Sequence, residues 1–223
     1  MQKVLDDWIG VCQRIGIDFE IAIYDGGSND GTLDIVRTAM EAHTGRVLLT
    51  ILPRVPHGPS ILKGYRESGA DWVFQMDSDD AFGTYAFEDI WQHRGDFDLL
   101  LARRTGRSSG PPRRVVTWCG RLAIRALFNS RVEDANTPYR LMRRSAFAKL
   151  FRILPDDAVV PNVLLSGLAG TTHLRLYQVD VVDTGEAVGT AGLANLKLLR
   201  VALRSFAQVI SVRWMTRHGR VAG

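Results

Sequence analysis

The stretch KVLDDWIGVCQRIG (3–16) sets Val4, Trp8, Val11 and Ile15 at intervals of four, three and four residues. That is one face of a helix, ended by Gly16. FEIAIYD (19–25) reads as a buried strand and GGSNDGT (26–32) as a Gly-rich turn. A helix starting near Asp30 or Thr32 follows, with Leu33, Val36 and Met40 on one face. RVLLTIL (46–52) is a second strand, PSILKGYRESG (59–69) a second crossover helix and DWVFQMD (71–77) a third strand. Strands alternating with helices at this spacing predict an α/β fold, a mostly parallel sheet with helices on both faces.

Beyond Asp80 the pattern loosens. YAFEDIWQHR (85–94) predicts a helix and FDLLLAR (97–103) a short strand, and TGRSSGPPRR (105–114) predicts a loop. VTWCGRLAIRALFN (116–129), RRSAFAKLF (143–151) and the stretch following Pro161 read as helices, and HLRLYQVDVVD (173–183) alternates like a late strand. The tail places Leu196, Leu199, Leu203, Phe206 and Ile210 on one stripe. It is expected to dock that face on the core or on lipid, with its cationic flank against head groups. The expected division is a domain over 1–192 and a basic amphipathic tail helix over 193–223.

Hydrophobic content of 46% and charged content of 23% in 223 residues describe a globular chain with a sizeable core. Two cysteines, Cys12 and Cys119, form no disulfide framework and no metal-ligand spacing, so a reducing, cytoplasmic setting is expected. Met1–Gly10 carries two acids and no apolar run, which argues against a signal peptide. The net charge of +4 is unevenly placed. Lys197, Arg200, Arg204, Arg213, Arg217 and Arg220 fall in 193–223 without an acid, and Arg103, Arg104, Arg107, Arg113, Arg114, Arg121 and Arg125 fall in 102–125 without one. Such zones point to anionic partners. Nucleic acid is not expected among them, because the arginines lack interleaved aromatics and no binding motif accompanies them.

The candidate chemistry sits where strands end. Asp25 closes one predicted strand and leads through Gly26 and Gly27 to a helix start, where free backbone N–H groups face a ligand. Asp77, Asp79 and Asp80 follow another strand, and ligands of open α/β sheets bind at this edge. Read singly, each acid caps a turn. Read together, Asp25, Asp77 and Asp79 converge on one rim, and the Asp77-x-Asp79 pair suits Mg²⁺ or Mn²⁺, whose oxygen-rich shell is completed by phosphate oxygens and water.

These residues carry a resemblance. YDGGSNDGT (24–32) resembles the Asp-x-Gly-Ser-x-Asp-Gly-Thr segment of family 2 glycosyltransferases, and DWVFQMDSDD (71–80) resembles their metal-binding strand end. VEDANTPYRLMRRSAF (132–147) is similar to a segment of the polyprenyl-phosphate branch, of dolichol-phosphate mannosyltransferase type. The resemblance implies a GT-A fold, a nucleotide-diphosphate sugar as donor, Mg²⁺ or Mn²⁺ as cofactor, and transfer with inversion to a polyprenyl phosphate or related acceptor. It implies nucleotide-sugar contacts from Asp25, Gly27, Asp77 and Asp79, with Asp77 and Asp79 as metal ligands. It implies acceptor-phosphate contacts from Arg104, Arg113 and Thr117, and roles near the reacting groups for Asp79, Asp134 and Arg140. A phosphate acceptor needs no general base, being largely dianionic at neutral pH with a second pKa of about 6; for a hydroxyl acceptor Asp134 is the candidate base.

Two departures stand out. Family members have a strand before the first helix, so the first strand is expected to be missing, leaving edges unpaired. GEAVGTAG (185–192) carries Glu186 and Ala191 where the lipid-phosphate branch has Arg and Ser. A carboxylate about 4 Å from a phosphate repels it by roughly 1–4 kcal/mol. Both departures leave open a degenerate relative that binds nucleotide or membrane without turnover. The expected location is peripheral, at the cytoplasmic face of the membrane.

Overall fold

The computed structural model describes residues 1–78, 83–105, 111–182 and 194–217, without the side chains of 111–117, 119 and 194–199. Asp79 and the loop with Glu186 and Ala191 lie outside the described residues, as do the side chains of Leu196 and Leu199. In chain order the elements are α1 (Gln2–Arg14), β1 (Ile21–Asp25), α2 (Thr32–Ala42), β2 (Val47–Ile51), α3 (His57–Glu67), β3 (Trp72–Gln75) and α4 (Phe87–Gln92). Then come β4 (Leu99–Thr105), α5 (Pro111–Phe128), β5 (Arg140–Arg143), α6 (Arg144–Ile153), α7 (Pro161–Ala169), β6 (Leu176–Val182) and α8 (Ala194–Arg217).

The strands fall into two groups. β1 and β2 pair in parallel, with Asp25 opposite Ile51. The other four are ordered β3-β5-β4-β6. β5 runs antiparallel to both neighbours, setting Arg140 opposite Gln75 on one side and opposite Leu101 on the other. β4 and β6 pair in parallel from Leu99–Leu176 to Thr105–Val182. β3, β4 and β6 therefore point the same way, and their carboxyl ends share one rim with the start of β5. The expected parallel sheet is present with one reversed strand in it and a division between β1–β2 and the rest.

Alternation along the strands explains the layers. Leu99, Leu101 and Met142 face a core shared with Leu62, Tyr65, Ile124, Phe128, Phe147, Leu164 and Val212 of the helices α3, α5, α6, α7 and α8. Leu100, Ala102 and Leu141 face the opposite core, built on Trp8, Val11, Phe87 and Ile90 of α1 and α4. Trp8 and Tyr139 lie 5.0 Å and 4.9 Å from the Phe74 ring. Each such fully buried side chain contributes about 1.5–3 kcal/mol. Cys12 is buried in the second core, which pushes its thiol up to about 11 and keeps it inert.

One expectation is corrected here, and two features are added to it. α5 starts at Pro111, so the Pro-Pro-Arg-Arg run belongs to the helix rather than to the loop; proline at a first helical position has no N–H to lose. β5 had no sequence signal, because its two apolar residues, Leu141 and Met142, go to opposite cores. On α8 the residues that dock are Val209 and Val212, whereas Leu203, Phe206 and Ile210 point outward with Trp214, each between 47% and 61% exposed. α8 is thus half core helix and half bare apolar stripe.

Asp98 ties the far end of the sheet together. Its carboxylate accepts from Arg143 Nε, from Arg175 Nε and Nη2, and from the Arg175 backbone N–H, each at 3.1 Å. The Arg175 hydrogen bonds hold this carboxyl below its ordinary value despite the opposing effect of burial. Asp98→Asn is expected to lower unfolding stability by about 1–3 kcal/mol at neutral pH. Because the native carboxyl titrates below its unfolded value of about 3.9, the contribution is full above that pH and fades as pH falls through the native value. Urea unfolding of both proteins at neutral and acid pH should show the gap closing in acid. A gap independent of pH would contradict the assignment.

Candidate active site

Asp25, the last residue of β1, is buried and turned back on its own loop. Its Oδ1 accepts from the backbone N–H of Gly27 at 2.8 Å and of Ser28 at 2.9 Å, and its Oδ2 accepts from the Ser28 hydroxyl. Gly27 has φ +105°, a conformation side chains resist, and this lets the loop close on the carboxylate. Burial alone would raise the Asp25 carboxyl; the bonds from Ser28 and Gly27 outweigh it and hold the carboxyl low. Asp25 is therefore a fixed anion at the foot of the 26–31 loop, and Ser28 is a partner that the strand-end pattern did not single out.

Asp77 follows β3 and is partly open to solvent. Gln75 Nε2 donates to its Oδ1 at 3.1 Å, and His57 Nε2 lies 3.6 Å from the same oxygen, just beyond a hydrogen bond. A cavity of about 110 Å³ opens beside it, with His57, Asn136 and Asn162 in its wall. His57 begins α3, which packs tightly there. A Cβ on Gly58 would sit 2.2 Å from the Ala158 carbonyl oxygen, so only glycine allows the approach.

Arg140 lies beneath this rim, fully buried. Its Nε donates to the Thr137 carbonyl at 3.0 Å, its Nη2 to the carbonyls of Thr137 at 2.8 Å and Ala135 at 2.9 Å, and its Nη1 to that of Asn162 at 3.2 Å. Burial lowers its pKa from the ordinary value, while Tyr65, Asp134 and Asp77 act in the opposite sense. The guanidinium is thus committed to the backbone of the loop carrying Asp134 and is not presented on the surface of the site.

Asp134 meets Arg104 at the end of β4. Arg104 Nε donates to Oδ2 at 2.6 Å and Nη2 to Oδ1 at 2.8 Å, a two-point pair whose side chains are only 15% and 14% exposed. Next to it Arg103 bridges Glu133 and Asp180, joining this loop to β6. Arg113 and Thr117 lie in the first turns of α5, on the chain that leaves the same rim, and their side chains are outside the described residues. Farther along α5, Trp118, Arg121, Leu122 and Arg125 line a groove of about 590 Å³ with Arg131 and Glu133.

The site thus gathers Asp77, the Arg104–Asp134 pair and buried Arg140 at one end of the four-stranded sheet, and sets Asp25 at the end of β1. Sequence reading missed His57, Gln75 and Asn162. The position of Gln75 two residues before Asp77, on the same side of a strand, was the available signal. Among the described residues no three His, Cys, Asp or Glu side chains converge into a closed metal cage. Asp77 nonetheless fits a hard divalent ion. It is an accessible carboxylate beside open space, and such ions take one or two protein carboxylates and complete their shell with phosphate oxygens and water.

Residues 5–151 match the family model described as glycosyl transferase family 2. The chain is 20% identical over 200 residues to an undecaprenyl-phosphate 4-deoxy-4-formamido-L-arabinose transferase of Pectobacterium atrosepticum, covering 89% of this chain and 60% of the relative. It is 23% identical over 192 residues to the transferase of the same name from Pseudomonas aeruginosa, covering 85% and 55%. The chain therefore spans rather more than half the length of these relatives. Among solved structures it is similar to glucosyl-3-phosphoglycerate synthase of Mycobacterium tuberculosis in complex with UDP, with a TM-score of 0.62 at 15% identity over 95% of this chain and 76% of that one. The same synthase with Mn²⁺, UDP and glucosyl-3-phosphoglycerate gives 0.60 at 16% identity, over 95% and 75%. The architecture is the GT-A fold, and the chain belongs to the family 2 glycosyltransferases.

Proposed function

We propose that this chain transfers a sugar from a nucleotide-diphosphate sugar to a polyprenyl phosphate or related acceptor, with inversion at the anomeric carbon. The observation that carries the reading is Asp77, a carboxylate held at a strand end beside open space and flanked across the rim by the Arg104–Asp134 pair. Support comes from the relatives named for transfer onto undecaprenyl phosphate and from a similar fold solved with UDP and Mn²⁺.

In this reading the turn that Asp25 anchors, with Gly27 in it, receives the nucleotide, and Asp77 and Asp79 hold a divalent ion together with the donor diphosphate. Bound there, Mg²⁺ or Mn²⁺ supplies charge neutralisation for the departing diphosphate. The protein's own contribution is placement and charge. Arg104, with Arg113 and Thr117 of α5, receives the acceptor phosphate. Arg104 is already paired, so an incoming phosphate dianion competes with Asp134 for the same guanidinium, and the carboxylate it releases faces the reacting groups. For a hydroxyl acceptor, which brings no phosphate to that guanidinium, Asp134 is the candidate base from within its pair with Arg104. Arg140 acts from below, keeping the Asp134 loop in place.

The reading extends to the membrane, at its cytoplasmic face. Among the described residues no helix is long and apolar enough to cross a bilayer. α8 instead offers Leu203, Phe206, Ile210 and Trp214 outward, and α5, packed beside it, exposes Trp118 and Leu122. Neither helix carries an acid, and Arg121, Arg125, Arg200 and Arg217 are exposed on them. Bare apolar side chains with cations alongside suit the interface of an anionic bilayer.

Asp77→Asn is expected to abolish turnover and the Mn²⁺-dependent part of UDP binding while leaving the thermal unfolding midpoint close to that of the parent. Calorimetric titration with and without a chelator checks this, and parental Mn²⁺-dependent affinity in the variant would refute the assignment. Separately, replacing Leu203, Phe206 and Ile210 by serine should weaken co-sedimentation with phosphatidylglycerol vesicles at least about tenfold without loss of stability. Undiminished sedimentation would remove the α8 stripe from the membrane contact.

A further inference from the structure

Asp77 is held by a chain of side chains that runs inward through the protein. Gln75 Nε2 donates to Asp77 Oδ1 at 3.1 Å. Asn162 Nδ2 donates to Gln75 Oε1 at 2.9 Å. The Tyr65 hydroxyl donates to Asn162 Oδ1 at 2.7 Å, its nearer acceptor, and lies 3.1 Å from Gln75 Oε1. Asn162 on α7 and Tyr65 on α3 are buried, and Tyr65 is stacked on Phe151 at 5.2 Å. Three elements, α3, α7 and β3, therefore converge on one carboxylate oxygen.

The order of donors along this chain has one solution. An ionised carboxylate only accepts, so Gln75 must turn its nitrogen to Asp77 and its oxygen inward. Asn162 must then give its nitrogen to Gln75 and its oxygen to Tyr65, which donates its single proton. With the Gln75 amide reversed, its oxygen would face the carboxylate and its nitrogen would face the Asn162 nitrogen, a repulsion at each end. Burial pushes the Tyr65 phenol up, so it remains a donor throughout the working pH range. The backbone of Asn162 is fixed as well, since its carbonyl accepts from Arg140.

We propose that Gln75 is the positioning residue of the Asp77 carboxylate, and that Asn162 and Tyr65 set the direction of its amide. The consequence rests on the reading of Asp77 as a ligand of the donor's divalent ion. One oxygen, Oδ1, is aimed by the Gln75 amide, which sets the plane in which the carboxylate meets the ion. A carboxylate free to rotate would lose ordering entropy on each binding event, whereas a held one has already lost it. The groove that receives the diphosphate is thereby linked to the α3–α7 core.

The test uses the chain itself, with UDP and Mn²⁺ as probes. In ¹⁵N-resolved spectra of the protein without ligand, the Gln75 side-chain NH₂ signals should shift in Asp77→Asn and in Asn162→Ala. Calorimetry should show that Gln75→Met lowers UDP affinity about tenfold or more with Mn²⁺ and leaves the metal-free affinity unchanged. Tyr65→Phe, which keeps the ring and its stacking, should give a smaller loss in the same direction. Ser166→Ala removes a buried hydrogen bond to the Ala135 carbonyl without touching this chain and should leave the Mn²⁺ increment intact. An unchanged increment in Gln75→Met, an equal loss in Ser166→Ala, or Gln75 signals indifferent to Asp77→Asn would each overturn the proposal. If the Gln75 signals follow Asp77 while UDP binding by the parent ignores Mn²⁺, the positioning stands and the metal reading of Asp77 falls.

Discussion

A guanidinium cut off from water must be satisfied by what surrounds it, and the organisation of this site follows from how that is done at Arg140. Removing such a charge from water costs several kcal/mol even after relaxation. The offset comes from the carbonyls of Ala135, Thr137 and Asn162. Those carbonyls belong to the loop carrying Asp134 and to the first turn of α7. The first residue of a four-residue strand thereby fixes a loop and a helix against the sheet, at the edge where β3 and β4 end. Losing any one of these contacts would leave a buried charge unmet, so the loop, α7 and the rim are bound to one geometry.

Above this anchor the charges are arranged in two ways. Arg104 and Asp134 satisfy each other in a two-point pair that is largely shielded from solvent. Asp77 instead accepts from the neutral Gln75 amide, partly open to solvent beside a cavity. Asp25 is a third case, a carboxylate taken up by its own loop. Local hydrogen bonding therefore assigns different tasks to carboxylates that look alike in the sequence. One is paired with a guanidinium, one accepts from a side-chain amide, and one is bound by its own loop.

How much of this was legible beforehand depended on whether the signal was periodic. The strands of the first half announce themselves by apolar runs ending in Asp25 and Asp77, and a strand end in an α/β sheet is where ligands go. β5 was silent, because two apolar residues divided between two cores make no pattern. Arg140 was placed near the reacting groups by the resemblance, and nothing local in the sequence shows that it is fully buried. The stripe on α8 was read as apolar with its partner left open between core and lipid, because a helical pattern records which residues share a face and not which face the core takes. Asn162 and Tyr65 were invisible for a similar reason, and Gln75 was marked only by its spacing from Asp77. Their meaning lies in contacts across as many as 97 positions of sequence.

The central claim is that this rim moves a sugar from a nucleotide donor to a lipid phosphate, with the charge of Asp77 at its centre. The most direct measurement is mass-spectrometric detection of product from the purified chain, given Mn²⁺, undecaprenyl phosphate and a panel of UDP- and GDP-sugars in turn. The account predicts a polyprenyl-phosphate-linked sugar from one donor class, formed only when the divalent ion and the lipid phosphate are both present. Donor binding with no lipid-linked product from any sugar in the panel, or product formed equally in excess chelator, would contradict it.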